Sequence, residues 1–179
     1  NIPVYLYEEA AKIPGRKALP DIRKGQYEGL KTEISKPERR PDYGPAQMHP
    51  TAGATVVGAR QFLIAYNINL DTSDVGIAKK IANCIREAKG GYKYVRAMGV
   101  TVQIGDRDIA QVTINMVNYQ GTPLFRVFET VKSEAARYGV NVIGSEIIGL
   151  SPMQALLDVA EFYLRLDGFD RKQVLEDNL

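Results

Sequence analysis

The stretch "QFLIAYNINLDTSDVGIAKKIANCIREAKGG", residues 61–91, changes its hydrophobic period partway along. In its first ten residues Phe62, Ile64, Tyr66, Ile68 and Leu70 fall on one face of a strand, and Asn67 and Asn69 on the other. Asp71, Thr72 and Ser73 each offer a helix cap. Beyond them Ile77, Ile81, Cys84, Ile85 and Ala88 recur at helical spacing until Gly90 and Gly91. A strand leading directly into an amphipathic helix is the first half of a β-α-β unit.

Toward the C-terminus the same grammar continues. A strand is expected over 94–104, with Met98, Val100, Val102 and Ile104 on one face. "GDRD" (105–108) turns the chain into a partner strand, in which Ala110, Val112, Ile114 and Met116 alternate with Gln111, Thr113 and Asn115. Thr122 and Pro123 supply a capping residue and an N1 proline. The helix they open buries Leu124, Val127, Phe128, Val131, Ala135 and Tyr138, and Gly139 stops it. A strand over 141–149 follows. Ser151–Pro152 then opens a helix with Met153, Leu156, Leu157, Ala160 and Leu164 on one face.

The order over 61–149 is therefore β-α-β-β-α-β. The expected fold class is α/β in the broad sense (α+β): a split βαβ sheet with helices on one face. The helix-free face then carries Asn67, Asn69, Gln111, Thr113 and Asn115, to be solvated or floored by another subdomain or a ligand. Topology alone assigns no function.

Toward the N-terminus, "NIPVYLY" (1–7) reads as a strand limited by Pro3, and "ALPDIRKGQYEGLKTEIS" (18–35) as a helix interrupted by Gly25 and Gly29. One strand and one weak helix make no sheet or core by themselves. The expectation is the tail of a preceding α/β subdomain, although a trimmed start with an ordinary edge strand would read the same way. Residues 36–60 lie between. Their composition of prolines, glycines and small residues resists regular structure, and long irregular segments in compact domains are usually functional or disordered. "GPAQMHPTAGATVVGA" suits close backbone approach to a flat polar heterocycle; a packed connector would account for it equally well.

The totals narrow the classes. With 179 residues, 23 basic and 21 acidic side chains, and a net charge of +2, the chain is too balanced to suggest nucleic acid or an anionic membrane as partner. One cysteine, Cys84, excludes an internal disulfide framework and fits a reducing, cytoplasmic setting. Its helical spacing reads as core, not nucleophile. With one histidine as well, metal ligation has little to work with. Neither "GATVVGA" nor "GSEIIG" matches a dinucleotide or phosphate-loop fingerprint. His49 has no sequence-near acid or thiol partner and reads as structural. Glu8–Glu9 and the arginines flanking the loop, Arg39, Arg40 and Arg60, read as solvated surface, although an arginine can grip a carboxylate through two parallel bonds.

Taken together, "PVYLYEEAA", "LPDIRKGQYEGL", "PDYGP…HPTAGATVVGARQFLIAYNINL", "AQVTINMVNY" and "GSEIIGLSP" resemble the glutamate formiminotransferase family, of bacterial and archaeal type, in order over essentially the whole chain. The resemblance implies transfer of a formimino group from N-formimino-L-glutamate to N5 of tetrahydrofolate. It also implies two α/β subdomains with folate in a tunnel between them, a homodimer, a cytoplasmic location, and no metal. Residues 1–60 would be the C-terminal remnant of the first subdomain, and 61–179 the second. The family's folate-binding segment matches Gly44, Pro45, Ala46, Gln47, Met48, His49, Pro50, Thr51, Ala52 and Gly53. Vertebrate members differ at Gln47, Thr51 and Ala52, so the resemblance assigns the segment more than any single contact. The family's catalytic histidine belongs upstream of anything matching Asn1, which leaves no catalytic residue expected in this chain. His49 aligns to the folate segment and does not replace it. Two other readings compete. A non-catalytic ligand-binding or oligomerisation module would bind without turnover, and an RNA-binding sheet would want stacking aromatics where Gln111, Thr113 and Asn115 stand.

Overall fold

The computed structural model describes residues 1–179, which divide into two compact units, Asn1–Gln61 and Phe62–Leu179. In the second unit the elements are β3 (Ile64–Leu70), α3 (Val75–Ile85), β4 (Val95–Ile104), β5 (Arg107–Met116), α4 (Leu124–Ala136), β6 (Val142–Ile148) and α5 (Met153–Leu164). The strands form one antiparallel sheet in the order β4-β5-β3-β6, so the β-α-β-β-α-β reading holds. This is the split βαβ arrangement, in which the first and third strands in sequence lie at the centre.

Burial follows the strand period. Ile64, Tyr66, Ile68 and Leu70 of β3, with Val112, Ile114 and Met116 of β5, point toward the helices. There they meet Ala78, Ile81, Ala82 and Ile85 of α3 and Leu124, Val127, Val131 and Ala135 of α4 in one cluster. Gly99 lets α3 lie directly on β4: a β-carbon there would collide with the main chain of Ala78 and Lys79.

Several expectations are corrected. The cap of α3 is Asp74, whose carboxylate accepts from Gly76 N at 2.8 Å, not Asp71, Thr72 or Ser73. The helix ends at Ile85 and a short 3-10 turn, Glu87–Lys89, continues to Gly90. Its buried stripe is centred on Ala78 and Ala82, which rotates Cys84 into solvent, so the thiol is exposed and not core. In β4 the core side is Val95, Ala97 and Gly99; Met98 and Ile104 lie half exposed on the opposite face. Thr122 does not cap α4, because its hydroxyl donates to the Lys93 carbonyl at 2.7 Å and Pro123 takes the cap position. Tyr138 is exposed. On α5 the expected stripe is displaced too: Ala155 is buried, while Met153, Leu156 and Leu164 are exposed.

The first unit contains β1 (Val4–Glu8), α1 (Leu19–Ile22), α2 (Gln26–Glu33) and β2 (Thr55–Ala59), with a 3-10 turn over Pro37–Arg39. The single helix expected over 18–35 is broken, because Gly25 at φ +80° and Gln26 at φ +52° adopt left-handed backbone. The opening strand does not lack a sheet. It pairs in parallel with β2, Val4 opposite Thr55 through Glu8 opposite Ala59, so the end of the supposedly irregular segment is a strand.

Candidate functional site

Gly44–Gly53 remains without helix or strand between the 3-10 turn and β2. Its entry is fixed by polar bonds with little apolar packing. The Asp42 carboxylate accepts from Leu6 N at 2.8 Å and from Arg16 Nη1 at 2.9 Å. Arg16 Nη2 donates to the carbonyls of Glu38 and Arg40, at 3.3 and 2.5 Å. Both side chains are nearly inaccessible, 9% for Arg16 and 3% for Asp42, so this is a buried ion pair whose guanidinium also reaches two carbonyls. Tyr5 donates from its hydroxyl to Arg39 O at 2.6 Å. Burial pushes the phenol above its ordinary range, against the opposing pull of Arg16 and Arg39, which keeps it a donor. Val4 and Tyr43 exchange main-chain bonds at 2.9 and 3.2 Å, and Gly44 at φ +83° follows, where a β-carbon would collide with the Ile2 carbonyl.

The exit is a closed turn. His49 N donates to Gly53 O and Gly53 N to His49 O, both at 3.0 Å. Across it, His49 Nδ1 accepts from Ala52 N at 3.1 Å and Thr51 N at 3.3 Å, with Thr51 Oγ1 at 3.4 Å. Gly53, at φ +65°, is buried beside the Tyr27 ring and the Met48 methyl. Pro45, Ala46 and Gln47 on one limb, and Pro50, Thr51 and Ala52 on the other, are exposed. The structure thus brings the ten sequence-identified residues into one anchored loop with two accessible limbs. No side chain from Tyr43 to Ala59 is charged.

Of the flanking arginines, Arg40 is exposed, while Arg39 and Arg60 are engaged within the protein. Arg39 donates to Lys24 O at 2.9 Å and lies 3.8 Å from Glu33, and Arg60 lies 3.8 Å from Glu8. Arg16 and Asp42 escaped the sequence reading, since nothing local marks two residues far apart in the chain as partners.

In the second unit the helix-free sheet face carries a polar network. Gln111 Nε2 donates to Asn69 Oδ1 at 2.8 Å and to Glu146 Oε1 at 3.0 Å, and Asn67 Nδ2 to the same carboxylate oxygen at 3.2 Å. Thr113 Oγ1 donates to Gln111 Oε1 at 3.0 Å. Asn67 Oδ1 is buried without a hydrogen-bond partner. Glu146 was missed by the sequence reading; its register opposite Asn67 is what recruits it. Elsewhere in this unit a cleft of about 450 Å³ opens between α4, α5 and β6, lined by Tyr66, Leu124, Phe125, Phe128, Leu156, Val159 and Tyr163. It is mainly apolar, and Ser145 and Glu146 of β6 also line it.

Comparison with known proteins covers the chain along its length. Residues 65–178 match the family model of the formiminotransferase domain, and residues 1–60 that of the formiminotransferase domain's N-terminal subdomain. The glutamate formimidoyltransferase of Streptococcus pyogenes serotype M1 is 55% identical over 180 aligned positions, covering 100% of this chain and 60% of the relative. That of Thermoplasma acidophilum is 49% identical over 178, covering 98% and 58%. The formimidoyltransferase-cyclodeaminase of Mus musculus is 43% identical over 167, covering 91% and 31%. The chain thus spans about three-fifths of the length of the first two relatives. With both family models matched in order along it, this chain belongs to the formiminotransferase domain family.

Proposed function

We propose that the chain is part of a folate-dependent glutamate formiminotransferase, with Gly44–Gly53 as its folate-binding loop. In this reading residues 1–60 are the C-terminal part of an N-terminal subdomain, and 61–179 the second subdomain. The reaction moves the formimino group of N-formimino-L-glutamate to tetrahydrofolate. The folate N5 amine attacks the formimino carbon, a base removes the amine proton, and the bond to the glutamate nitrogen breaks as an acid protonates that nitrogen. Holding two reactants together contributes much of the rate in such a transfer.

The observation that carries this reading is the match over the full chain to two glutamate formimidoyltransferases. The loop geometry supports it. An uncharged segment with exposed main chain, anchored at entry and exit, offers hydrogen-bonding groups to a neutral heterocycle without a large ordering cost. Within this chain no side chain is assigned to proton transfer, and its part is to bind and orient folate in a cytoplasmic, homodimeric enzyme.

The test is titration of 5-formyltetrahydrofolate, a stable folate, into wild type and Gly53→Val. Gly53 has left-handed backbone, which disfavours a β-branched residue by about 1–2 kcal/mol, and its neighbours are Tyr27 and Met48. Binding by wild type and its loss in a variant whose second unit stays folded is the expected result. Equal binding by both proteins would place the folate elsewhere.

A further inference from the structure

We propose that His49 uses its two ring nitrogens for separate purposes: Nδ1 holds the loop turn closed, and Nε2 is a fixed hydrogen-bond donor to a carbonyl oxygen of the ligand. This rests on the loop being the folate site.

A main-chain N–H can only donate. The main-chain N–H groups of Thr51 and Ala52 both point at Nδ1, at 3.3 and 3.1 Å. An N–H cannot accept, so Nδ1 must present its lone pair. A neutral imidazole carries one proton, which is then on Nε2. The tautomer is therefore set by the backbone. Nε2 makes no hydrogen bond within the protein, while every other ring function of His49 is engaged. The Gly53 exchange at 3.0 Å closes the same turn, so the ring cannot swing away without releasing the loop exit.

Two consequences follow. In this state His49 cannot take the amine proton, because its lone pair already faces two donors, so it serves as a binding and positioning residue. Its displayed proton is a neutral donor in a segment that carries no charge from Tyr43 to Ala59. An uncharged donor in uncharged surroundings is matched to a ring carbonyl, such as that of a pterin, and not to a glutamate carboxylate, for which arginine is the stronger partner.

The chain has one histidine, so a long-range proton–nitrogen correlation spectrum of the full chain contains one imidazole. Nδ1 is expected unprotonated and Nε2 protonated at mildly alkaline pH. Saturating 5-formyltetrahydrofolate should shift the Nε2 proton and slow its exchange. The opposite tautomer, an even mixture, or an Nε2 proton indifferent to saturating folate would each overturn the proposal. Two variants separate the roles. In His49→Asn the amide oxygen replaces Nδ1 as acceptor and the distal donor is lost. The turn should persist, with protected Thr51 and Ala52 amides, while folate binding weakens about 2- to 10-fold, the worth of one neutral hydrogen bond. His49→Ala should lose both the protection and the binding. An Asn variant binding like wild type would overturn the donor role. A wild-type chain that binds no folate would overturn the folate reading of the loop and the donor role with it, leaving the tautomer measurement to stand alone.

Discussion

Arg16 and Asp42 show how much one pair of side chains does for the candidate site. The guanidinium reaches a carboxylate and two carbonyls, and the carboxylate also receives Leu6 N, so three stretches of chain meet at one buried contact. Removing one member strands the other charge away from water. Arg16→Ala is expected to destabilise the first unit by about 3–5 kcal/mol, since an uncompensated buried charge costs more than the pair contributes when intact. Urea denaturation followed by a signal confined to residues 1–61 measures this; a loss below 1 kcal/mol would mean that solvent reaches Asp42. Asp74 is a smaller case. Its carboxylate satisfies one of the free N–H groups at the start of α3, and Asp74→Ala should cost about 1 kcal/mol in the second unit.

The elements of the second unit meet at two contacts of different kinds. Where α3 crosses β4, Gly99 leaves no room for a methyl group against the main chain of Ala78 and Lys79. Because backbone cannot rotate out of the way, Gly99→Ala should push the helix off the sheet at a cost of about 1–3 kcal/mol, read as a lowered thermal midpoint. Where α4 meets α5, Phe125 stacks on Phe162 with centroids 4.1 Å apart, and the Tyr163 hydroxyl donates to Glu129 Oε1 at 2.7 Å. The hydrogen bond from Tyr163 holds the Glu129 carboxyl below its ordinary value of 4.5, against the opposing effect of burial, and Lys132 lowers it further. A depressed carboxyl pKa stabilises the fold above the unfolded value and loses that contribution as pH falls through the folded one. Wild type should therefore exceed Tyr163→Phe in stability by a few tenths of a kcal/mol at neutral pH, the modest size being set by solvent exposure. The gap should narrow as pH falls through the carboxylate range. A gap independent of pH would tie Tyr163 to packing alone.

At the scale of the molecule the two units differ in how they are held. The second has a continuous apolar cluster running from Ile64 to Ala155 under a four-stranded sheet. The first buries Tyr5, Ile22 and Ile34 around a two-stranded parallel sheet and depends on polar anchors. In the full chain, signals from residues 1–61 should be lost at lower urea than those from residues 62–179, because two strands around so small a core offset less chain entropy. Coincident loss of both signals would refute this.

What the sequence determined by itself is what is local. The two-residue and 3.6-residue periods marked the four strands and the two core-facing helices of the second unit, and therefore its β-α-β-β-α-β order. Blocks spread along the whole chain disclosed the family. The composition of 36–60 singled out the loop. What only the tertiary structure decided is partnership. The parallel pairing of Val4–Glu8 with Thr55–Ala59, the Arg16–Asp42 contact and the recruitment of Glu146 by Asn67 and Gln111 all join residues far apart in sequence. A period states which way a side chain faces and not what it will face. The same limit explains the misplaced apolar residues. Met98 and Ile104 obey the strand period, but the sheet put helices on their opposite face, where Gly99 admits α3. The proton on His49 is the most distant from sequence of all, because it is assigned by two main-chain N–H groups whose direction exists only once the turn has closed.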